Sequence, residues 1–457
     1  MDVNQSNENV NLIKGNPKEA IRRTAPPIII SLFVMSLYNI VDRIWVAGLG
    51  TDPLAALGFV EPLFMIIIGL GDGLGAGANS VISRFIGSND YDEASNSSLH
   101  ATLIVLIISI IFPLIFIPFL RQILSLMGAS DVMNYAMDYI LVIFIFTIAF
   151  LFNCLFSFQL RAEGDAKRST VIMVSGGLIN IILDPIFIYI LNLGIAGSAY
   201  ATVISNIIPD LLAIYWIYLS KSTYIDYSIK KFKFKWSLIK NLLFVGLPAS
   251  IEELIMAVVN IVLNGMLSII AGTAVIASFT SAFSIIEIGM MPGIGVGNAA
   301  ITIAGVAYSA GSYKKLKTTC HYSIKLSLLI SSITFAIIYI FAPQIAHLFS
   351  YSASNGSLNV LVTECLRDLS FFVIVAAIGG VCGNVLQGMG KGITSLGLTI
   401  IRELILVLLF SFLFCFILSW GIKGVYYGMS IGALIGSLIE FLVFELYLKR
   451  FKEEKLN

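Results

Sequence analysis

"PPIIISLFVMSLYNIVDRIWVAGLG" occupies residues 26–50, an apolar run long enough to cross a bilayer that nevertheless carries an acid, Asp42, beside Arg43. Crossing the hydrocarbon takes about 20 residues of helix. Runs near that length recur along all 457 residues, at 26–47, 57–82, 100–120, 135–158, 168–192, 195–219, 241–270, 274–305, 322–346, 362–386, 393–419 and 422–447. They predict roughly twelve membrane helices. The composition agrees, because 58% of residues are hydrophobic and only 12% are charged, against about a quarter charged in soluble domains. The expected fold class is an all-α integral membrane protein.

The same stretch returns later in the chain. Pro26 and Pro248, Gly50 and Gly272, Ala55 and Ala277, Gly71 and Gly293, Gly73 and Gly295, Gly75 and Gly297, and Tyr91 and Tyr313 all keep one offset. The offset drifts slightly by Gly164 and Gly390, then Gly194 and Gly421. Six helices per copy is an even number, so both copies enter from one side. That predicts two parallel six-helix bundles, the 6+6 arrangement of secondary transporters, with the substrate path between the halves. The domains expected are a polar amino-terminal segment (1–25), a first bundle (26–219), a basic linker (220–240), a second bundle (241–448) and a tail (449–457).

Lysine and arginine set the orientation. Lys14, Lys18, Arg22 and Arg23, then Arg161, Lys167 and Arg168, the linker lysines, Lys314, Lys315 and Lys317, and finally Lys449, Arg450, Lys452 and Lys455 all fall on one side. By the positive-inside rule both termini are cytoplasmic, in a multi-pass protein of the cell membrane. The basic loops therefore report topology, and no nucleic acid partner is expected. Residues 1–25 do not read as a cleavable signal. Cys154, Cys320, Cys365, Cys382 and Cys415 lack metal-site spacing, and His100, His321 and His347 form no cluster.

An acid in the hydrocarbon costs about 3 kcal/mol even on lenient scales, so Asp42 calls for a cavity or a partner. It lies 16 residues, about 24 Å, beyond Pro26. In the fifth run Asp184 lies 16 residues beyond Arg168, at similar depth. Asn180 shares the face of Asp184, as Tyr38 and Asn39 share that of Asp42. Thr202, on the returning sixth run, has compatible depth. Asp42, Asn180, Asp184 and Thr202 form an all-oxygen set that suits Na⁺, or a proton shared by two acids. Pro185 removes a helix hydrogen bond next to Asp184, and Pro26 does so near the start of the first run, making both candidate hinges. The competing reading has the two acids simply gluing helices together. The repeat weighs against that, because Asp42 corresponds to Asn264 and Asp184 to Phe410 or Ser411.

Other acids need an account. "GLGDGLGAGANS" (69–80) contains a G-x-G-D that, with Asp42, suggests an intramembrane aspartyl protease using Asp42 and Asp72. Glycine every fourth residue also reads as close helix packing. In the second half Glu252, Glu253 and Glu287 lie deep in the seventh and eighth runs, expected either to line a substrate cavity or to pair with Arg402. Arg402 and Glu403, being adjacent, are expected not to face each other.

"PPIIISLFVMSLYNIVDRIWVAGLGTDPLAALG", "LRAEGDAKRS", "NIILDPIFI" and "GIAGSAYAT" together resemble the multidrug and toxic compound extrusion (MATE) family, in particular its archaeal and DinF-like branch. The resemblance covers about residues 16–448. It implies a V-shaped pair of bundles alternating between outward and inward openings, and a cation site at Asp42, Asn180, Asp184 and Thr202. It implies bending of the first helix at Pro26, and substrate contacts at Tyr38, Tyr139, Asn153 and Met173. Other branches place acids on the seventh helix, where this chain has Glu252 and Glu253. The activity implied is multidrug efflux of the kind that confers antibiotic resistance: antiport of amphipathic, often cationic compounds against Na⁺ or H⁺, with no cofactor and no enzymatic step. A monomer surrounded by membrane lipids is expected. A flippase for a lipid-linked saccharide is the alternative within the same fold class.

Overall fold

A computed structural model describes residues 3–220, 222–227, 232–350 and 357–456, and among these the chain is helical throughout with no strand. Eleven helices are long and apolar enough to span a membrane: Pro17–Ala47, Thr51–Gly87, Tyr91–Leu126, Ala166–Ile190, Gly194–Leu219, Trp236–Ile270, Ser278–Ser309, Tyr313–Ile340, Asn359–Gly388, Gly392–Ile417 and Gly421–Glu454. Ser130–Ile145 and Thr147–Ala162, bent by 51° at their junction, make a twelfth. In chain order they are spans one to twelve, the bent pair being the fourth. All twelve expected runs are accounted for. Spans seven and eight are drawn as one helical stretch, Trp236–Ser309. It doubles back, because Gln387 bonds Glu252 while its neighbour Gly388 abuts the backbone of Ile301, whereas straight helix would hold those two positions about 70 Å apart.

Large apolar side chains such as Ile44, Leu114, Ile182 and Ile261 stand exposed on these helices. That is the pattern of a chain whose outer solvent is lipid, where a helix satisfies most of its backbone groups internally.

Two segments lay outside the sequence expectations. Val3–Lys14, within the expected polar amino-terminal segment, is a helix and buries Val10 and Ile13. The first span starts at Pro17, nine residues before the expected Pro26, so that Pro26 and Pro27 lie inside it. Proline removes a helical donor, yet here the helix continues through both.

The repeat is visible in the backbone. Positive φ recurs at matching places, Asn89 and Gly311, Gly164 and Gly390, Asn192 and Ser419, Gly194 and Gly421. At three of the turns a side chain then caps the next helix, Asp90 accepting from Glu93 N, Asp165 from Arg168 N and Ser312 from Lys315 N. Left-handed residues followed by a cap are how short helix–helix turns satisfy their end groups.

The chain divides into two compact units whose borders do not coincide with helix ends. One comprises Met1–Asn16 with Ile30–Ile251, the other Pro17–Ile29 with Glu252–Asn457. Each unit thus contains the opening turns of a span that otherwise belongs to the other. Glycine makes room for them in the same way twice. In the first unit a Cβ on Gly73 would lie 2.4 Å from Ser250 N; in the second, one on Gly295 would lie 3.2 Å from Ile29 N. The border in the first span falls just beyond Pro26 and Pro27.

In the first unit the linker is held by two anchors. Glu163, fully buried beyond the end of the fourth span, accepts hydrogen bonds from Tyr224 N (2.8 Å), Ile225 N (3.4 Å) and Tyr227 Oη (2.7 Å). Asn96 exchanges two hydrogen bonds with the backbone of Lys233, and His100 Nε2 accepts from Lys235 N. Burial pushes the Glu163 carboxyl up from 4.5 to about 7, against the pull of those three donors. Because its value is higher when docked than when solvated, the docked linker is fully favoured below about 4.5 and loses that support as pH rises through about 7. Hydrogen exchange at the Tyr224 and Ile225 amides, corrected for intrinsic rate, is therefore expected to accelerate between about pH 5 and pH 8. Glu163→Gln should flatten that profile; an unchanged profile would exclude Glu163 as its source.

Candidate cation site in the amino-terminal unit

Spans one, five and six bring the sequence-derived set together. Ser198 Oγ donates to Asp42 Oδ1 at 2.7 Å. Asn180 Nδ2 donates to Asp184 Oδ1 at 3.4 Å and to Thr202 Oγ1 at 3.3 Å, and Thr202 Oγ1 donates to the Ser198 carbonyl at 3.0 Å. The two carboxyls are close enough to feel each other's charge. Asn180, Asp184 and Thr202 are 1%, 0% and 4% exposed.

Close approach of the helices depends on Gly176 and Gly177. A Cβ on Gly177 would lie 3.2 Å from the Tyr38 ring, and one on Gly176 would lie 3.1 Å from the Ser205 carbonyl. The fifth span thereby sits against both the first and the sixth one turn below Asn180. Pro185 ends the regular part of this span, and wider i→i+5 turns follow over Ile186–Ile190. That is the expected break beside Asp184.

Electrically the site is one-sided. Arg43 pairs with Glu61, and among the described residues no Lys or Arg pairs with Asp42 or Asp184. Asp184 Oδ2 and Asn180 Oδ1 are buried without a hydrogen-bond partner. An orphaned buried acceptor costs about 1–3 kcal/mol, more when charged. Two carboxylates, an amide oxygen and a hydroxyl fit a hard cation, and the acid pair also fits a proton. No three His, Cys, Asp or Glu side chains converge as a metal site among the described residues.

Tyr38, Tyr139 and Asp42 line a cleft of about 680 Å³, open mouth included, together with Met35, Phe64 and Glu61. The other two expected substrate contacts lie elsewhere. Asn153 donates to Asp210 Oδ1 at 3.0 Å, and Met173 Sδ accepts from Arg161 Nη2 at 2.8 Å. Asp72 keeps company with Cys154 and Arg161, not with the partners of Asp42, so the two acids of the protease reading belong to separate groups. Ser198, four residues before Thr202, escaped the sequence reading although its spacing marked it.

In the second unit Arg402 overturns one expectation. Its Nε donates to Glu403 Oε1 at 2.8 Å, and its Nη1 to Glu440 Oε2 at 2.7 Å. Adjacent side chains do not face each other on a regular helix, but Ile400–Val407 has wider i→i+5 turns and the long arginine folds back. Gly379 and Gly436 leave its space. Glu252 accepts from Gln387 Nε2 at 3.2 Å near this group, whereas Glu253 and Glu287 are exposed. Glu440 was not foreseen. Arg402→Met should cost about 3–5 kcal/mol by leaving buried glutamates uncompensated. Thermal unfolding in detergent measures this, and a shift no larger than that of a surface substitution would refute it.

The sequence pattern of the MatE family matches residues 27–186 and again 248–413, once in each half of the repeat. The multidrug export protein MepA of Staphylococcus haemolyticus (strain JCSC1435) is 28% identical over 379 residues, 82% of each chain. The crystal structure of a MATE protein in complex with MaL6 superposes with TM-score 0.95 at 36% identity, covering 97% of this chain and 99% of that one. A multidrug resistance MATE family transporter of the MOP superfamily in an outward-facing conformation gives 0.94 at 36% identity, covering 97% and 98%. With both halves matched, and nearly the whole chain superposed on solved relatives, this protein belongs to the MatE family of membrane transporters.

Proposed function

We propose that the protein is a secondary antiporter that exports amphipathic, often cationic organic compounds in exchange for Na⁺ or H⁺ moving inward. The observation that carries this reading is the pair of buried, unpartnered oxygens, Asp184 Oδ2 and Asn180 Oδ1, beside a half-buried Asp42 whose neighbour Arg43 is paired with Glu61. Such a site is stable only with a cation or proton in it, so its affinity for one is built in. Tyr38, Met35, Phe64 and Tyr139 offer aromatic and thioether surface to an apolar cation, and Asp42 and Glu61 offer charge. Because Asp42 and Tyr38 are one helical turn apart on the first span, ion and substrate compete for one helix.

The lysine and arginine distribution supports a plasma-membrane protein with both termini in the cytoplasm. Pro26 and Pro27, next to the border between the units, are the natural hinge. The relatives named MepA, multidrug export proteins, support the substrate class. One net charge crossing 100 mV supplies ~2.3 kcal/mol, about fiftyfold accumulation at one-to-one coupling. The acidic, aromatic lining of the cleft favours this reading over a flippase for an anionic lipid-linked saccharide.

Proteoliposomes loaded with a cationic dye, and given a Na⁺ or a pH gradient separately, test the reading. One gradient should drive efflux in the wild type, and Asp42→Asn should lower the driven rate about tenfold or more. A driven rate untouched by Asp42→Asn would exclude the acid pair as the coupling site.

A further inference from the structure

The sixth span carries Ser198, Thr202, Asn206 and Asp210 at a constant spacing of four residues. That spacing places them in one row over about 18 Å of helix. The upper end belongs to the cation site through Ser198 and Thr202. Below it Asn206 Nδ2 donates to the Thr202 carbonyl at 2.8 Å. Between Asn206 and Asp210 the backbone adds an acceptor. Pro209 has no N–H to give the Ser205 carbonyl, and that carbonyl faces Gly176 of the fifth span, where there is no side chain to cover it.

The row ends in a second buried polar group. Asp210 is 6% exposed and accepts from Asn153 Nδ2 at 3.0 Å. Cys154, next to Asn153, lies close enough to both Asp210 and Asp72 of the second span to feel their charge. Arg161, 4% exposed, acts on both Asp72 and Cys154, and donates to Ser169 Oγ at 2.8 Å. Of the charged and titratable groups in this cluster Cys154 is the one that meets Asp210, while Asp72 and Arg161 act on Cys154, making two acids and a thiol for one base. A carboxylate placed so deep is costly unless its position is used.

We infer that this row is a proton path within the amino-terminal unit, with Asp210 as an inner carboxyl that accepts the proton released by the Asp42–Asp184 pair. This rests on the antiporter reading and goes beyond it by choosing the proton. Along the row, hydroxyl, amide and bare carbonyl can each hold a water, whereas one carboxylate and one amide at Asp210 offer too few oxygens for a dehydrated metal cation. The step is a single proton transfer: the outer pair loses H⁺, the Asp210 carboxylate gains it, and no other bond changes. Asn153 orients the accepting carboxylate, and Arg161 holds the charge of Asp72 so that the cluster takes up one proton, not two.

The test uses the full chain in proteoliposomes, wild type beside Asp42→Asn, Asp210→Asn, Asp210→Glu and Asn206→Leu, with dye efflux driven by a pH or a Na⁺ gradient. Equilibrium dye binding is measured on the same purified proteins. Asp210→Asn is expected to bind dye within about twofold of wild type but to lose pH-driven efflux about tenfold, with Asp210→Glu restoring part of it. An infrared difference spectrum between acid and alkaline pH should lose a protonated-carboxyl band in Asp210→Asn that remains in Asp42→Asn. Should Asp210→Asn fail to fold, Asn206→Leu, which breaks the row while keeping both carboxyls, is expected to show the same loss of driven efflux. The proposal falls if these variants export at the wild-type rate while Asp42→Asn does not, an outcome that leaves the antiporter intact. It also falls if only a Na⁺ gradient drives the wild type. If neither gradient drives the wild type, the antiporter reading falls with it.

Discussion

Uncompensated negative charge inside the hydrocarbon governs the first unit. Asp42 and Asp184 face each other without a basic partner, and Arg43, the nearest candidate in sequence, is taken by Glu61. Removing two carboxylates from water costs several kcal/mol each, and serine, asparagine and threonine hydrogen bonds repay only part of it. On the proposed function the remainder comes from a cation or a proton. A fold that stores this debt on the first, fifth and sixth spans makes their packing depend on what is bound, which is the physical requirement for coupling an ion to a conformational change.

Glycine makes the arrangement possible. Gly176 and Gly177 let the fifth span touch two neighbours at once, and Gly73 and Gly295 admit the opening turns of spans seven and one into units to which the rest of those helices do not belong. In lipid there is little hydrophobic force between helices, so close van der Waals packing at small residues carries association. Gly73 and Gly295 are also one of the pairs that mark the internal repeat, so the packing that admits these turns is visible in the sequence.

Membrane spans, their number and the convergence of Asp42, Asn180, Asp184 and Thr202 were legible because the bilayer imposes a length and makes each buried acid conspicuous. Depth counted at 1.5 Å per residue was enough to pair Asp42 with Asp184. What escaped depended on local geometry. Arg402 reaches Glu403 only because the helix widens there, and the partnership with Glu440 joins residues of two separate spans. Glu163 looked like an ordinary loop acid, and its burial under Tyr224–Tyr227 follows from the path of a linker with no periodic signal. Asn153 and Met173 were carried over as substrate contacts, yet both are engaged with ionisable side chains, Asp210 and Arg161, outside the cleft that holds Tyr38 and Tyr139.

The two halves of the repeat have solved the cost of buried charge differently. Asn264 stands where the first half has Asp42, and its Oδ1 is buried without a partner. Ser411, at the place of Asp184, donates to the Val425 carbonyl at 3.2 Å. The acids the second half does bury, Glu403 and Glu440, both pair with Arg402, an internal base of a kind that Asp42 and Asp184 do not pair with. A fixed internal cation holds such a cluster in one charge state, whereas a site without one must exchange its cation with the surroundings. The same fold therefore contains one acid cluster that holds an internal base and one whose acids pair with none, and on the proposed function it is the second that an ion gradient reads.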